Sequence, residues 1–384
     1  MKKIIKKILT TGLVAVSCLT LIAGCGSSGE STVASGDNSS SAAAETTSTA
    51  PGAGATKLGV ILVGTRDDYG YNQGLYDCCE QVGKDLGIEV LIKESVPEDS
   101  SAQAVMEQLI SEGCTMIYAT SYGHREYAEE VAVNHPDVAF FVSNQTGQDL
   151  PNLTCLTTNL WDAAYVNGVC AGLMTKTNQL GYIASFQIPT CISSINAFAL
   201  GAQSVNPNVT VHAVFTGSWD DVGLQTNAVN SMASQDIDVI AQFQDYTKTI
   251  VETCEANDIY CVGYHVDTSE LAPKTFIIGS LDTFEKQEQV IKDTIDGKFT
   301  AQIVRGGFAE GMCSNTECSS LVPDDVKTVV DEAVAKMKSG EFTAFTGPVY
   351  KQDGTVAYEE GYVATEAEID GMDFFVQGVV GNDK

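Results

Sequence analysis

From residue 58 onward the chain alternates short apolar runs with longer amphipathic stretches. "LGVILVG" (58–64) is continuously apolar, the pattern of a strand buried on both faces of a parallel sheet. Apolar positions then recur at helical spacing over 72–86, up to a stop at Gly87. "IEVLIK" reads as the next strand, and "SSAQAVMEQLISEG" as a helix with a serine cap and a glycine stop. "TMIYAT", "HREYAEEVAVNHP" and "VAFFVS" continue as strand, helix and strand. The order β-α-β-α-β-α-β is the signature of a doubly wound parallel sheet.

The chain then repeats the scheme. "LGYIASF", "VTVHAVFTG", "DVIAQF", "IYCVGY" and "TFIIGS" read as strands. "SSINAFALGAQSV", "DVGLQTNAVNSMASQ" and "TKTIVETCEAND" read as the helices between the first four. "CLTTNLWDAAYVNGVCAGLMTKTN" (155–178) separates the two series as a crossover and a helix. The expected fold class is therefore α/β, with two doubly wound parallel-sheet lobes able to close on a small molecule by hinge motion.

In open α/β sheets a ligand lies outside the carboxyl ends of the strands. In the first series that rule selects the loop with Asp67, Asp68, Tyr69, Tyr71 and Asn72, and the loop with Ser121, Tyr122 and Gly123. In the second it selects Phe186, Trp219, Asp245 and Asp267. Aromatic rings at strand ends suit a flat ligand held between faces, and stacking one base contributes roughly 1–3 kcal/mol. Carboxylates accept hydrogen bonds from amino, ring N–H or hydroxyl donors, and an acid can hold a ribose diol. An amino-acid ligand would want arginine for its carboxylate; Arg66 and Arg125 lie near the first-series loops, with no counterpart in the second.

Each position also has a plainer explanation. Asp68, Asp245 and Asp267 could cap helices, Phe186 and Trp219 could be core, and Tyr71 could be an exposed turn residue. His124, His135, His212 and His265 lack metal-binding spacing and read as surface or capping residues. No metalloprotease, phosphate-loop, serine-hydrolase or EF-hand motif occurs, so nothing supports enzyme chemistry, a cofactor or a metal.

The N-terminal composition changes the picture. Lys2, Lys3, Lys6 and Lys7 precede a mostly apolar segment over 8–23, which reads as a secretory leader too short for a comfortable membrane span. It ends "IAGC", which resembles a bacterial lipobox; this implies a signal peptide over 1–24 and diacylglycerol on Cys25. Residues 25–56, rich in Ser, Gly, Ala and Thr, read as a flexible tether. A formal charge of −29 makes nucleic acid and anionic lipid headgroups poor partners. The 12 cysteines follow no C-x-x-C spacing, and most sit in apolar segments as small hydrophobes. Cys313 and Cys318 are near enough in sequence for a local bridge.

The second series carries a recognisable phrase, "GYIASFQIPTCISSINAFALGAQSVNPNVTVHAVFTGSWDD". It resembles the basic membrane protein (BMP) family of substrate-binding lipoproteins, which serve ABC transporters of nucleosides and purines. "NGVCAGLMTKTN", "DVIAQFQD", "YCVGYHVD", "ELAPK", "LVPDDV", "GEFTAFTGPVYKQDG" and "GMDFFVQGVVG" extend the resemblance over about 57–380. The resemblance implies a type I periplasmic-binding-protein fold whose lobes are joined by a three-crossover hinge. Lobe 1 is then expected at 57–157 plus 283–308, and lobe 2 at 158–280 plus 310–384. It also implies capture of a purine base or nucleoside and delivery to an ABC transporter permease, by a monomer lipid-anchored on the extracytoplasmic face of the cell membrane. Carried over motif by motif, the contacts are Asp68, Tyr69, Tyr71, Asn72, Tyr122, Phe186, Trp219, Asp245 and Asp267. Where the family has a Trp- or Lys-bearing segment this chain reads "GSLDTF", so Asp282 or Phe284 takes over; Thr190 stands where the family phrase has an acid. A sugar or autoinducer receptor on the same fold, or a signalling receptor that presents its ligand, are the competing readings.

Overall fold

The computed structural model describes residues 49–143 and 150–381; the leader, Cys25 and nearly all of the expected tether lie outside the described residues. Two parallel sheets organise the chain. The first contains β1 (Lys57–Ile61), β2 (Glu89–Lys93), β3 (Met116–Ala119), β4 (Ala139–Ser143) and β5 (Leu153–Thr158). Helices α1 (Tyr71–Leu86), α2 (Ser101–Ser111) and α3 (Arg125–Asn134) connect these strands.

The chain then crosses into α4 (Trp161–Met174) and the second sheet. That sheet is built from β6 (Gln179–Ala184), β7 (Thr210–Phe215), β8 (Val239–Phe243), β9 (Tyr260–Gly263) and β10 (Phe276–Asp282). Between them run α5 (Pro189–Val205), α6 (Val222–Ala233) and α7 (Lys248–Ala256). α8 (Glu285–Ile295) and β11 (Ile303–Gly306) return to the first sheet, and β12 (Cys313–Asn315) pairs antiparallel to β10 in the second. Beyond these come α9 (Asp324–Lys338), the hairpin β13 (Val349–Tyr350) and β14 (Val356–Tyr358), α10 (Glu366–Asp370), and β15 (Val379–Val380), which pairs with β7.

The strand orders are β11-β5-β4-β3-β1-β2 and β12-β10-β9-β8-β6-β7-β15. The first sheet changes direction between β1 and β3, the second between β6 and β8. Such switch points open a crevice at the carboxyl ends of the flanking strands. The loops after β1, β3, β6 and β8 therefore border the mouth of these crevices.

Period-two alternation splits each strand between two cores. Val60, Tyr118 and Phe141 face α1 and α8, while their neighbours Ile61, Ile117 and Phe140 face α2 and α3. In the second sheet Tyr182, Ala241 and Val262 face α4 and α5, while Ile183, Ile240 and Cys261 face α6 and α7. α4 is buried nearly all round, so it is a core helix rather than an amphipathic one. It meets α5 backbone to backbone: a side-chain carbon on Gly168 would lie 2.0 Å from the Phe198 carbonyl oxygen.

Two expectations are corrected. Residues 50–55, read as tether, are tied down: the Gly52 and Gly54 amides donate to the carbonyls of Asp137 (2.9 Å) and Ile295 (2.8 Å), and Ala55 is buried. Cys313 and Cys318 are both free thiols; Cys313 Sγ faces the Asn159 carbonyl at 3.7 Å, while the Cys318 sulfur turns to Cys170. Among the described residues no helix is long and apolar enough to cross a membrane.

The α4–α5 crossing also fixes the Phe186 loop, which feeds directly into Pro189 at the start of α5. Gly168→Ala overpacks this contact and is expected to cost on the order of 1–3 kcal/mol. A guanidinium unfolding curve shows this as a lower midpoint at unchanged slope.

Candidate functional site

The loop after β1 is built around one carboxylate. Asp68 Oδ1 accepts the Gly70 and Gln73 amides at 2.9 and 3.0 Å. Its Oδ2 accepts the amide and the side-chain nitrogen of Asn72, both at 2.8 Å. Asn72 Oδ1 in turn accepts the Gly64 amide at 2.9 Å. Asp68 thus caps α1, the plainer of its two readings, with both oxygens doubly used. Asp68 and Asn72 shape the loop, and they deliver Tyr69 and Tyr71 to its tip.

Tyr69 holds a left-handed backbone (φ 55°), and the Lys248 ammonium of the opposite sheet's α7 sits 4.7 Å from its ring centroid. Its carbonyl accepts the Thr247 hydroxyl. The Tyr71 hydroxyl donates to the Thr120 carbonyl at 2.6 Å, and its amide donates to the Asp245 carbonyl at 3.2 Å. The two sheets' loops therefore meet here. A side-chain carbon on Gly70 would lie 1.9 Å from the Asp245 carbonyl oxygen, so only glycine permits this approach.

From Tyr71 a run of rings crosses the mouth. Tyr71 packs edge-on against His265 (centroids 5.4 Å apart) and His265 against Tyr264 (4.0 Å). Tyr264 meets Phe243 at 4.8 Å, Phe243 meets Trp219 at 6.3 Å, and Trp219 meets Phe186 edge-on at 5.4 Å. Phe186 and Trp219 stay partly exposed, so they are not core residues. The Trp219 carbonyl also accepts the Asp245 amide at 3.0 Å, which ties those two loops together.

Charge gathers beside these rings. Asp282, the last residue of β10, pairs through Oδ2 with His265 Nδ1 at 2.8 Å. Burial disfavours the imidazolium, but Asp282, then Asp245 and Asp68, more than offset it and hold the ring's pKa above its usual value. Burial pushes the Asp245 carboxyl up to about 7 against the pull of His265, and Asp68 adds to the rise.

His265 corrects the sequence reading, which took it for a surface or capping residue: it is 4 % exposed and ion-paired. The signal was its place two residues before Asp267, on a strand end the carboxyl-end rule had already selected. Tyr264, Phe243 and Lys248 were likewise unread. Asp267 is exposed and accepts the Ser269 amide at 2.9 Å, capping the turn Ser269–Leu271, apart from the ring run. Tyr122 is 71 % exposed on the one-turn helix Tyr122–His124 and also stands apart from these rings. No group of three His, Cys, Asp or Glu among the described residues is placed to hold a metal.

Comparison with known proteins extends the geometry. A purine-binding protein of Brucella abortus is 32 % identical over 327 residues, covering 84 % of this chain and 92 % of its own. Basic membrane protein A2 of Borrelia garinii is 22 % identical over 300 residues, covering 75 % and 88 %. The solved structure of an ABC transporter solute-binding protein from Conexibacter woesei superposes with a TM-score of 0.67 at 20 % identity, covering 75 % of this chain and 98 % of its own. The fold is that of the type I periplasmic-binding-protein-like solute receptors. The family model for PnrA-like ABC transporter substrate-binding proteins matches residues 55–340. The chain belongs to that family, Bmp.

Proposed function

We propose that the protein is the extracytoplasmic receptor of an ABC importer. It holds a purine base or nucleoside between its two lobes, hands it to the permease, and stays at the membrane through a lipid on Cys25. The observation that carries this reading is the ring run from Tyr71 in one lobe to Phe186 in the other, beside the carboxyls of Asp245 and Asp282. Rings supply faces for a flat base and carboxyls take its amino and N–H donors. The purine-binding relative in Brucella abortus supports the same ligand class. In this reading Tyr71 and the Phe186–Trp219 pair hold the faces, and Asp245 and Asp282 read the edge. Asp68 and Asn72 act by shaping the loop, and Tyr69, Tyr122 and Asp267 border the mouth.

Calorimetry against adenine, guanine, hypoxanthine and their nucleosides is expected to give at least one dissociation constant in the micromolar range or tighter, with Trp219 fluorescence changing on binding. A panel with nothing better than millimolar sinks the reading, and stabilisation by a monosaccharide instead points to a sugar receptor.

Closure rests on the contact at residue 70. Gly70 lies outside both the strand and the helix regions (φ −153°, ψ −124°), and Gly70→Ala sets a methyl group against the Asp245 carbonyl. The variant is expected to bind purine at least tenfold more weakly. Solution scattering should show no ligand-induced decrease in its radius of gyration.

A further inference from the structure

The carboxyls beside the rings, Asp245 and Asp282, only accept when ionised. The Asp68 oxygens are spent on α1, and the Asn72 side chain is spent on Asp68 and Gly64. A purine edge, however, alternates donors with acceptors, its ring nitrogens among them. The cleft needs a donor to read those acceptors.

His265 is built to be that donor. It follows β9 with φ +67°, a left-handed backbone that few non-glycine residues adopt and that concentrates at functional sites. Its Nδ1 is taken by Asp282, and among the described residues no hydrogen bond is made by Nε2. The backbone doubles the link, since the Asp282 amide donates to the His265 carbonyl at 3.1 Å. Lobe 1 makes room for the pair: a side-chain carbon on Gly74 of α1 would lie 2.7 Å from Asp282 Oδ2. Tyr264 and Tyr71, one from each lobe, pack against the imidazole.

We propose that His265 is the specificity-determining donor of the site: clamped by Asp282, it presents Nε2–H to an acceptor nitrogen or carbonyl oxygen on the edge of the bound purine. This rests on the purine reading above and adds the atom that discriminates. The groups facing the imidazole are Asp282 from β10, Asp245 from the loop after β8, Asp68 and Tyr71 from lobe 1, and Tyr264 from its own strand end. With Asp282 and Asp245 holding the ring protonated, Nε2 donates; as pH rises through the raised pKa, Nε2 becomes an acceptor and the contact is lost.

The test uses the soluble chain without its leader, the tightest-binding purine, and that purine's 3-deaza and 7-deaza analogues, in which one acceptor nitrogen is replaced by C–H. The wild type is expected to lose at least tenfold in affinity for one analogue, and the imidazole's contribution to purine affinity should fall as pH rises through its raised pKa, opposite in sign to any contribution from Asp245. His265→Asn keeps a residue type that tolerates φ > 0. It should bind purine at least tenfold more weakly and treat purine and analogue alike. Asp282→Asn should move the pH midpoint downward, which a merely structural role would not do. Asp245→Asn, run alongside, separates that carboxyl's own titration: the downward trend persists in it if His265 is the donor. Purine binding in His265→Asn that stays within threefold of wild type, with analogue discrimination intact, overturns this proposal alone. Absence of purine binding by the wild type overturns both readings.

Discussion

The Tyr71 amide reaches across the mouth to the Asp245 carbonyl, and it can do so only because residue 70 has no side chain. Much of the site follows from that contact. It brings the Tyr71 ring against His265, sets Tyr69 under Lys248, and places the Asp245 carboxyl where water is scarce. A single backbone hydrogen bond contributes only about 1 kcal/mol net. Its importance lies in position: it can form only when the two lobes stand at one separation.

Burial at that separation has an electrostatic consequence. Three carboxyls and one imidazole share a small volume, and like charges there cannot all be carried. The structure resolves this by spending Asp68 on four hydrogen bonds, pairing Asp282 with His265, and leaving Asp245 with its pKa raised to about 7. Asp245 is thus the group whose charge is least supported by the protein. A ligand that donates to it supplies the missing partner, so binding and ionisation at this residue favour one another.

The strands were legible because each is short, apolar and bounded by turn residues, and because neighbours such as Val60 and Ile61 serve opposite cores. The carboxyl-end rule then located the loops carrying Tyr71, Phe186, Trp219 and Asp245 without any tertiary information. It could not divide labour within a loop. Asp68 and Asn72 face the same helix start, and only coordinates show that their atoms are consumed there. His265 was lost for a different reason. Single histidines carry no spacing pattern, and the partner that buries it, Asp282, lies 17 residues away across two strand ends. The segment beyond residue 282 was read only through family phrases. Its strands β11, β12, β13, β14 and β15 have two to four residues each, too few for a period-two signal to stand out.

Those short pieces nevertheless tie the crossings to the rest of the chain. Arg305, on the edge strand β11 of the first sheet, grips Asp370 of α10 through both terminal nitrogens at 2.7 Å. Its Nε donates to Asn159 Oδ1 at 2.8 Å on the first crossing, and its guanidinium lies 5.2 Å from the Trp161 ring centroid at the start of α4. A bidentate, charge-assisted contact with its head largely out of water is among the strong polar contacts a protein can make. The crossings at 159–160 and 307–312 are thus bound to the far end of lobe 2. At the mouth, by contrast, the contacts joining the lobes are single hydrogen bonds, the edge-on packing of Tyr71 on His265 and a cation over a ring. The mouth is therefore the more weakly joined side of the molecule. Separating the lobes there would break few interactions, and in the proposed reading a molecule held between Tyr71 and Phe186 would supply the energy of closure.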